Sequence, residues 1–291
     1  MATLDLRPLS LGELLDRTFF LYRRNFWLFI GIAVVPYLLL LAIGFLAAVL
    51  VYGIPARGSL PSSMQIGGAI IFGIMIFVAA IGVMVAFLYS SGAAVFAVSE
   101  IYAGRPATIR GSFRLVRGKG GTIFGIMILT VLIVMGGFLA LIIPGLYLFC
   151  RVPVATAAAL IEDKGPSDAI RRSFELTSDF AGRAALIYLL VVALAYGVGL
   201  MFQIPFLALV AVTAKQSHLY LLWTILGQVG NFIGSILIAP VHTIAFALFY
   251  YDLRVRKEAF DLQMMMQAIG ADPAPPVISG GAPSMFGRDA T

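Results

Sequence analysis

Five stretches of this chain, Phe26 to Ala56, Pro61 to Ser99, Gly120 to Cys150, Ala184 to Ala214 and Gln216 to Tyr251, carry no formally charged side chain, and most of their positions are apolar. A hydrocarbon core of roughly 30 Å is crossed by about 20 residues of helix, which satisfies its own backbone hydrogen bonds where water is absent. The stretches therefore predict an all-α, polytopic membrane bundle. Soluble alternatives are excluded by composition: 61% of residues are hydrophobic and 12% charged, against about 45–50% and about 25% in soluble domains. The single cysteine, Cys150, lies in an apolar run, so neither a disulfide framework nor a thiolate metal cluster is expected.

Six spans are expected, at Phe26–Val51, Ile66–Val98, Thr122–Ile143, Leu146–Ile161, Ala184–Ala214 and Leu219–Tyr251. Pro144-Gly145 reads as the tight turn of a hairpin between the third and fourth, and Pro205 and Pro240 as interruptions of the long fifth and sixth. Acidic Asp5, Glu13 and Asp16 mixed with Arg7 and Arg17 make the amino terminus a retained first span rather than a secretory signal. Of the 20 Lys and Arg, all but Arg57, Lys215 and the intramembrane Arg151 fall on one set of connecting segments. Positive residues are retained in the cytoplasm, so both termini are expected there. A single integral domain over residues 1–268 is followed by a Pro/Gly-rich tail, 269–291, expected to be disordered.

The charged segments resemble one another. Leu15-Asp16-Arg17-Thr18-Phe19-Phe20-Leu21, Ile109-Arg110-Gly111-Ser112-Phe113-Arg114-Leu115 and Ile170-Arg171-Arg172-Ser173-Phe174-Glu175-Leu176 align without gaps. Each precedes a pair of spans, which suggests three repeat units at about 9–103, 104–164 and 165–256. At 100° per residue Leu11, Leu15, Phe19 and Tyr22 share one face of the first copy, and Ile170, Phe174 and Thr177 one face of the third. Three amphipathic cytoplasmic helices in the headgroup region are expected, with a capping box from Ser10 to Glu13 and an N-cap at Ser167.

Arg7-Pro8-Leu9-Ser10-Leu11-Gly12-Glu13-Leu14-Leu15-Asp16-Arg17-Thr18, Ile143-Pro144-Gly145-Leu146-Tyr147, Gly165-Pro166 with Ala169-Ile170-Arg171-Arg172-Ser173-Phe174-Glu175-Leu176, and Phe249-Tyr250-Tyr251-Asp252-Leu253-Arg254-Val255-Arg256-Lys257-Glu258 resemble the bacterial glycerophosphoryl diester phosphodiesterase membrane-domain family. The resemblance spans roughly residues 7–265. It implies a bacterial inner-membrane protein with the membrane fold of that family. The soluble barrel that carries metal-dependent chemistry in some members has no counterpart here. With only His218 and His242, no His-Glu pair and no acidic cluster of metal-ligand type, neither enzymatic activity nor a cofactor is expected.

Two sets of residues are candidates for function. Arg151, the one charge within a span, either snorkels or bonds to carbonyls near the outer surface, or holds an anionic group in the interior. On the sixth span Thr224, Gln228, Asn231, Ser235 and His242 stay in helical phase as a polar stripe, and Gln203 precedes Pro205 on the fifth. These seven suggest either interhelical hydrogen bonding or a small-solute or lipid pathway. The second set is a basic belt, Arg17, Arg23, Arg24, Arg110, Arg114, Arg117, Arg171, Arg172, Arg254 and Arg256, interleaved with aromatics. Despite a pI near 9.6, these cations adjoin apolar spans, so anionic lipid headgroups rather than nucleic acid are the expected counter-charge. A membrane-protein partner or a second copy of the chain is a further candidate.

Overall fold

A computed structural model describes residues 8–52, 62–213 and 218–258. Arg57, Lys215, Arg288, the tail 269–291 and the Met-rich continuation beyond Glu258 lie outside them. Among the described residues the chain is all-helical: α1 (Leu11–Arg24), α2 (Phe26–Tyr52), α3 (Ser62–Tyr102), α4 (Ile109–Val116), α5 (Gly120–Ala140), α6 (Ile142–Arg151), α7 (Ala155–Ile161), α8 (Pro166–Thr177), α9 (Ala181–Val212) and α10 (His218–Glu258). Six stretches are long and apolar enough to cross a membrane: within α2, α3, α5, the α6–α7 pair, α9 and α10.

The 41 residues of α10 extend for about 60 Å, twice the hydrocarbon thickness, and its two halves have different surroundings. Along the first half Leu222, Ile225, Val229 and Ile233 form an exposed stripe. Gly227, Gly230 and Gly234 form another face, where an added Cβ would come within 3.1–3.2 Å of Phe202 or Phe206 on α9. The small residues thus permit close approach of the two helices. From Ile244 to Leu253 every side chain is buried. A helix apolar on all sides must be enclosed by protein, and here α1, the end of α3, α7, α8 and the start of α9 enclose it. The main core therefore sits at the charged end. Away from it α3, α5 and α9 expose Ile71, Phe77, Leu139, Leu189 and Met201, an arrangement that hydrocarbon tolerates and water does not.

α1 runs antiparallel along α10. The backbone of Leu9 is held at Asp252, and the Tyr22 hydroxyl donates to the Leu237 carbonyl at 2.7 Å. The capping box forms as expected, with the Glu13 amide donating to Ser10 Oγ at 3.2 Å and the Ser10 amide to Glu13 Oε2 at 2.7 Å. The buried face is Leu14, Thr18 and Leu21, about a quarter-turn from the Leu11, Leu15, Phe19, Tyr22 face. Packing on α10 turns the helix, leaving Phe19 and Phe20 exposed. The hydroxyl of the repeated motif is buried in all three copies, at Thr18, Ser112 and Ser173.

Four local expectations change. The hairpin bend lies at Leu141, which is extended at φ −167°, ψ 158°. Pro144 sits in the first turn of α6, where a missing N–H costs nothing because that donor has no intrahelical partner. The fourth span is broken between Arg151 and Ala155, around Pro153. The helices α9 and α10 continue through Pro205 and Pro240. At α8 the N-cap is Gly165 with Pro166 at the first helical position, not Ser167, since proline's fixed φ suits that site.

The α5–α6 hairpin closes glycine against glycine. A Cβ on Gly137 would lie 2.9 Å from the Gly145 Cα, and one on Gly145 would lie 2.5 Å from Phe138 Cγ and 2.8 Å from its backbone nitrogen. Gly145→Ala is therefore expected to cost about 1–3 kcal/mol by overpacking. Gly136→Ala, with nothing within 4 Å, is the control. Thermal melts of the detergent-solubilised protein check this: equal midpoints for the two variants would refute the close packing.

Candidate functional site

The buried polar groups of the charged end form two ion-pair clusters on α10. Asp252, whose side chain is 0% exposed, accepts the Leu9 amide at 2.7 Å and Arg256 Nε at 2.9 Å, with Arg183 at 3.4 Å. The Leu9 carbonyl in turn accepts Arg183 at 2.8 Å and Arg256 at 2.6 Å. One residue is thus clamped through both its amide and its carbonyl. On the opposite face of the same turns, Glu162 receives Arg172 Nε on both oxygens at 3.1 Å, Tyr250 Oη at 2.7 Å and Lys164 at 2.8 Å. Glu258 completes the cluster by pairing with Arg172 and with Arg254, the latter at 2.9 Å.

These clusters divide the predicted basic belt. Arg172, Arg254 and Arg256 have side chains only 17%, 16% and 22% exposed and pair with carboxylates of the protein itself, Glu162, Glu258 and Asp252. Arg17 lies beside the Tyr102 hydroxyl, and Arg171 is exposed but pairs with Glu175 at 3.4 Å. Arg23, Arg24, Arg110, Arg114 and Arg117 are exposed and make no ion pair with another described residue. All five lie on α1, on α4 or next to α4. The helix α4 bridges two spans, with Ile109 against Gly31 of α2 and Val116 against Gly92 of α3. Its N-cap Thr108 accepts the Gly111 amide at 3.1 Å. Around the end of α1, Asp16, Phe19, Phe20, Arg23 and Arg24 line a groove of about 510 Å³, and Trp27 stands 80% exposed beside it in sequence. Cation and ring side by side is the chemistry of a membrane interface.

The seven intramembrane candidates do not form one site. Arg151, at the end of α6, bonds the Phe174 carbonyl of α8 and the Tyr147 hydroxyl, the latter at 2.7 Å. Its guanidinium lies 4.9 Å from the Phe174 ring centroid and 5.4 Å from that of Tyr147. The Arg151 carbonyl accepts Ser173 at 2.8 Å and Thr177 at 3.1 Å. A carbonyl bond was one expectation for Arg151. The partner is α8 rather than the outer surface, because the break before Ala155 ends α6 there. Gln203, Asn231 and Ser235 line a cavity of about 370 Å³ between α9 and α10, with Tyr37, Tyr196 and Gly199. Ser235 Oγ donates to the Asn231 carbonyl at 2.8 Å, and exposed Thr224 to Tyr220 at 2.8 Å. Gln228 is exposed and lies outside that cavity.

A second cavity, also about 370 Å³, holds His242. Tyr37 walls both and lies edge-on to Phe87 and Phe232, at 5.1 and 5.9 Å between centroids. Tyr37, Glu162, Tyr250 and Asp252 are not among the candidates the sequence offered, although Tyr250 and Asp252 stand in one of its motifs. The signal for Asp252 was present, an acid directly after an apolar run on the longest helix. Among the described residues no group of three or more His, Cys, Asp or Glu is placed to hold a metal ion. Compared with protein-family models, curated proteins and solved structures, the chain gives no significant match.

Proposed function

We propose that this chain is a non-catalytic integral membrane module of a bacterial inner membrane, with both ends cytoplasmic, that associates with anionic lipid through α1 and α4. The observation that carries this reading is the division among its arginines. Arg172, Arg254 and Arg256, on α8 and α10, pair with internal carboxylates, whereas Arg23, Arg24, Arg110, Arg114 and Arg117 are exposed with no carboxylate partner among the described residues, and Arg23 and Arg24 share a groove with Phe19 and Phe20. The motif resemblance to the glycerophosphoryl diester phosphodiesterase membrane domain supports the same location and a role without chemistry of its own.

Each interfacial cation contributes about 1 kcal/mol to anionic-surface attraction, and each 1.4 kcal/mol is tenfold in affinity. The combined R23Q/R24Q/R110Q/R114Q protein should therefore retain phosphatidylglycerol at least tenfold more weakly than wild type by native mass spectrometry at low salt. Retention of phosphatidylcholine should not change. Equal phosphatidylglycerol retention by both proteins would refute the proposal. A second reading, transport of a small solute or lipid, is supported by the cavity that brings Gln203, Asn231 and Ser235 together. It requires loss of flux in Asn231→Ala proteoliposomes, an effect the lipid-association reading does not produce.

A further inference from the structure

The second cavity lies between α2, α3 and α10, with Met127 of α5 on its wall. Its lining includes Phe29, Pro36, Tyr37, Met84, Phe87 and Leu88, and no Lys, Arg, Asp or Glu. Of its hydroxyls, Ser90 donates to the Ile32 carbonyl at 2.9 Å and Ser91 to the Leu88 carbonyl at 2.9 Å, so both protons are spent on the helices themselves, while those of Tyr37 and Thr243 make no hydrogen bond to a described residue. His242 adds a side-chain nitrogen to these walls. Its ring is accessible from the cavity, lies 5.7 Å from Tyr188 and 4.9 Å from Phe246 between centroids, and makes no hydrogen bond to a described residue.

An imidazole with an unspent N–H in an apolar chamber is a site for an oxygen acceptor. Water fits poorly. At about 30 Å³ each, filling 370 Å³ takes on the order of a dozen waters, each wanting 2–4 polar partners, more than Tyr37, Ser90, Ser91, His242 and Thr243 supply on walls that are otherwise apolar. A charged headgroup fits worse, since no counter-charge lines the chamber and an unpaired buried ion carries a large desolvation penalty. What fits is a mostly apolar molecule with a few polar atoms, the usual occupant of a pocket of this size.

We propose that this cavity binds an uncharged lipid whose carbonyl or hydroxyl oxygen accepts a hydrogen bond from His242, while its apolar body lies against Phe29, Tyr37 and Phe87. The site is separate from the arginine belt and does not depend on it. Two bilayer components carry the required chemistry, the glyceride oxygens of a diacylglycerol and the ring carbonyls of an isoprenoid quinone.

The test uses the full chain in detergent, titrated with dioleoylglycerol and, separately, with a short-chain isoprenoid quinone, and read by native mass spectrometry. Saturable binding of either probe is expected, and the one that binds identifies the source. His242→Leu, which keeps most of the volume and removes the donor, should weaken binding at least tenfold. Ser91→Leu, which fills the chamber from α3, should abolish it, and R23Q/R24Q/R110Q/R114Q should leave it unchanged. Failure of both probes to bind wild type, or equal binding by wild type and His242→Leu, would overturn the proposal. Loss of binding in the arginine variant would overturn its independence from the belt.

Discussion

Asp252→Ala is expected to release the N-terminal helix and destabilise the protein by about 3 kcal/mol. Removing one partner of a buried charge cluster costs about 3–5 kcal/mol, and the lower end applies because the Arg183 and Arg256 side chains are each 22% exposed and regain some hydration. Two donors lose their acceptor at once, the Leu9 amide and Arg256 Nε, and the Arg183 guanidinium loses its counter-charge. The two arginines then remain together over the Leu9 carbonyl without a counter-charge. Asp252→Asn keeps an oxygen for the Leu9 amide and should fall between the two. Thermal melts in detergent measure the stability, and limited proteolysis at the start of α1 measures its release. Equal behaviour of the Ala variant and wild type would remove Asp252 as the anchor of α1.

Glu162 should set the acid limit of stability. Burial pushes its carboxyl up, but hydrogen bonds from Lys164, Tyr250 and Arg172 outweigh burial and hold it below the usual glutamate range. A carboxyl depressed in the folded state contributes stability that is fully present above its unfolded pKa, about 4.3 for glutamate. That contribution is lost as pH falls through the folded value. Wild type should therefore weaken as pH drops below about 4.3. Glu162→Gln should be weaker at neutral pH by about 1.5–3 kcal/mol, the range for hydrogen bonds to charged groups, and should converge on wild type in acid. Melts from neutral to acidic pH test this, and curves that stay parallel throughout would refute it.

The partition of roles among the arginines was not legible in sequence. Arg110 and Arg172 occupy adjacent positions of the aligned repeat copies, yet one is exposed and the other holds Glu162 and Glu258. The difference comes from neighbours distant in the chain: α8 packs beside the end of α10, whereas α4 bridges α2 and α3. The polar stripe on α10 was legible as a phase relation. Its division into two chambers follows from where Tyr37 of α2 meets Phe87 of α3 and Phe232 of α10. Likewise Pro205 and Pro240 marked breaks by local rule, but neighbouring helices support the chain there and it continues helical.

Charge-free length and local capping chemistry, both properties of consecutive residues, determined the all-helical class, the six membrane-length stretches and the start of α1. Only the tertiary structure decided that the core gathers around the last turns of α10, and which charges are consumed there. Burial of an ion depends on the Leu9 backbone and on charged groups brought together from Glu162, Arg172, Arg183 and Asp252, separations across which a linear pattern carries no information about contact.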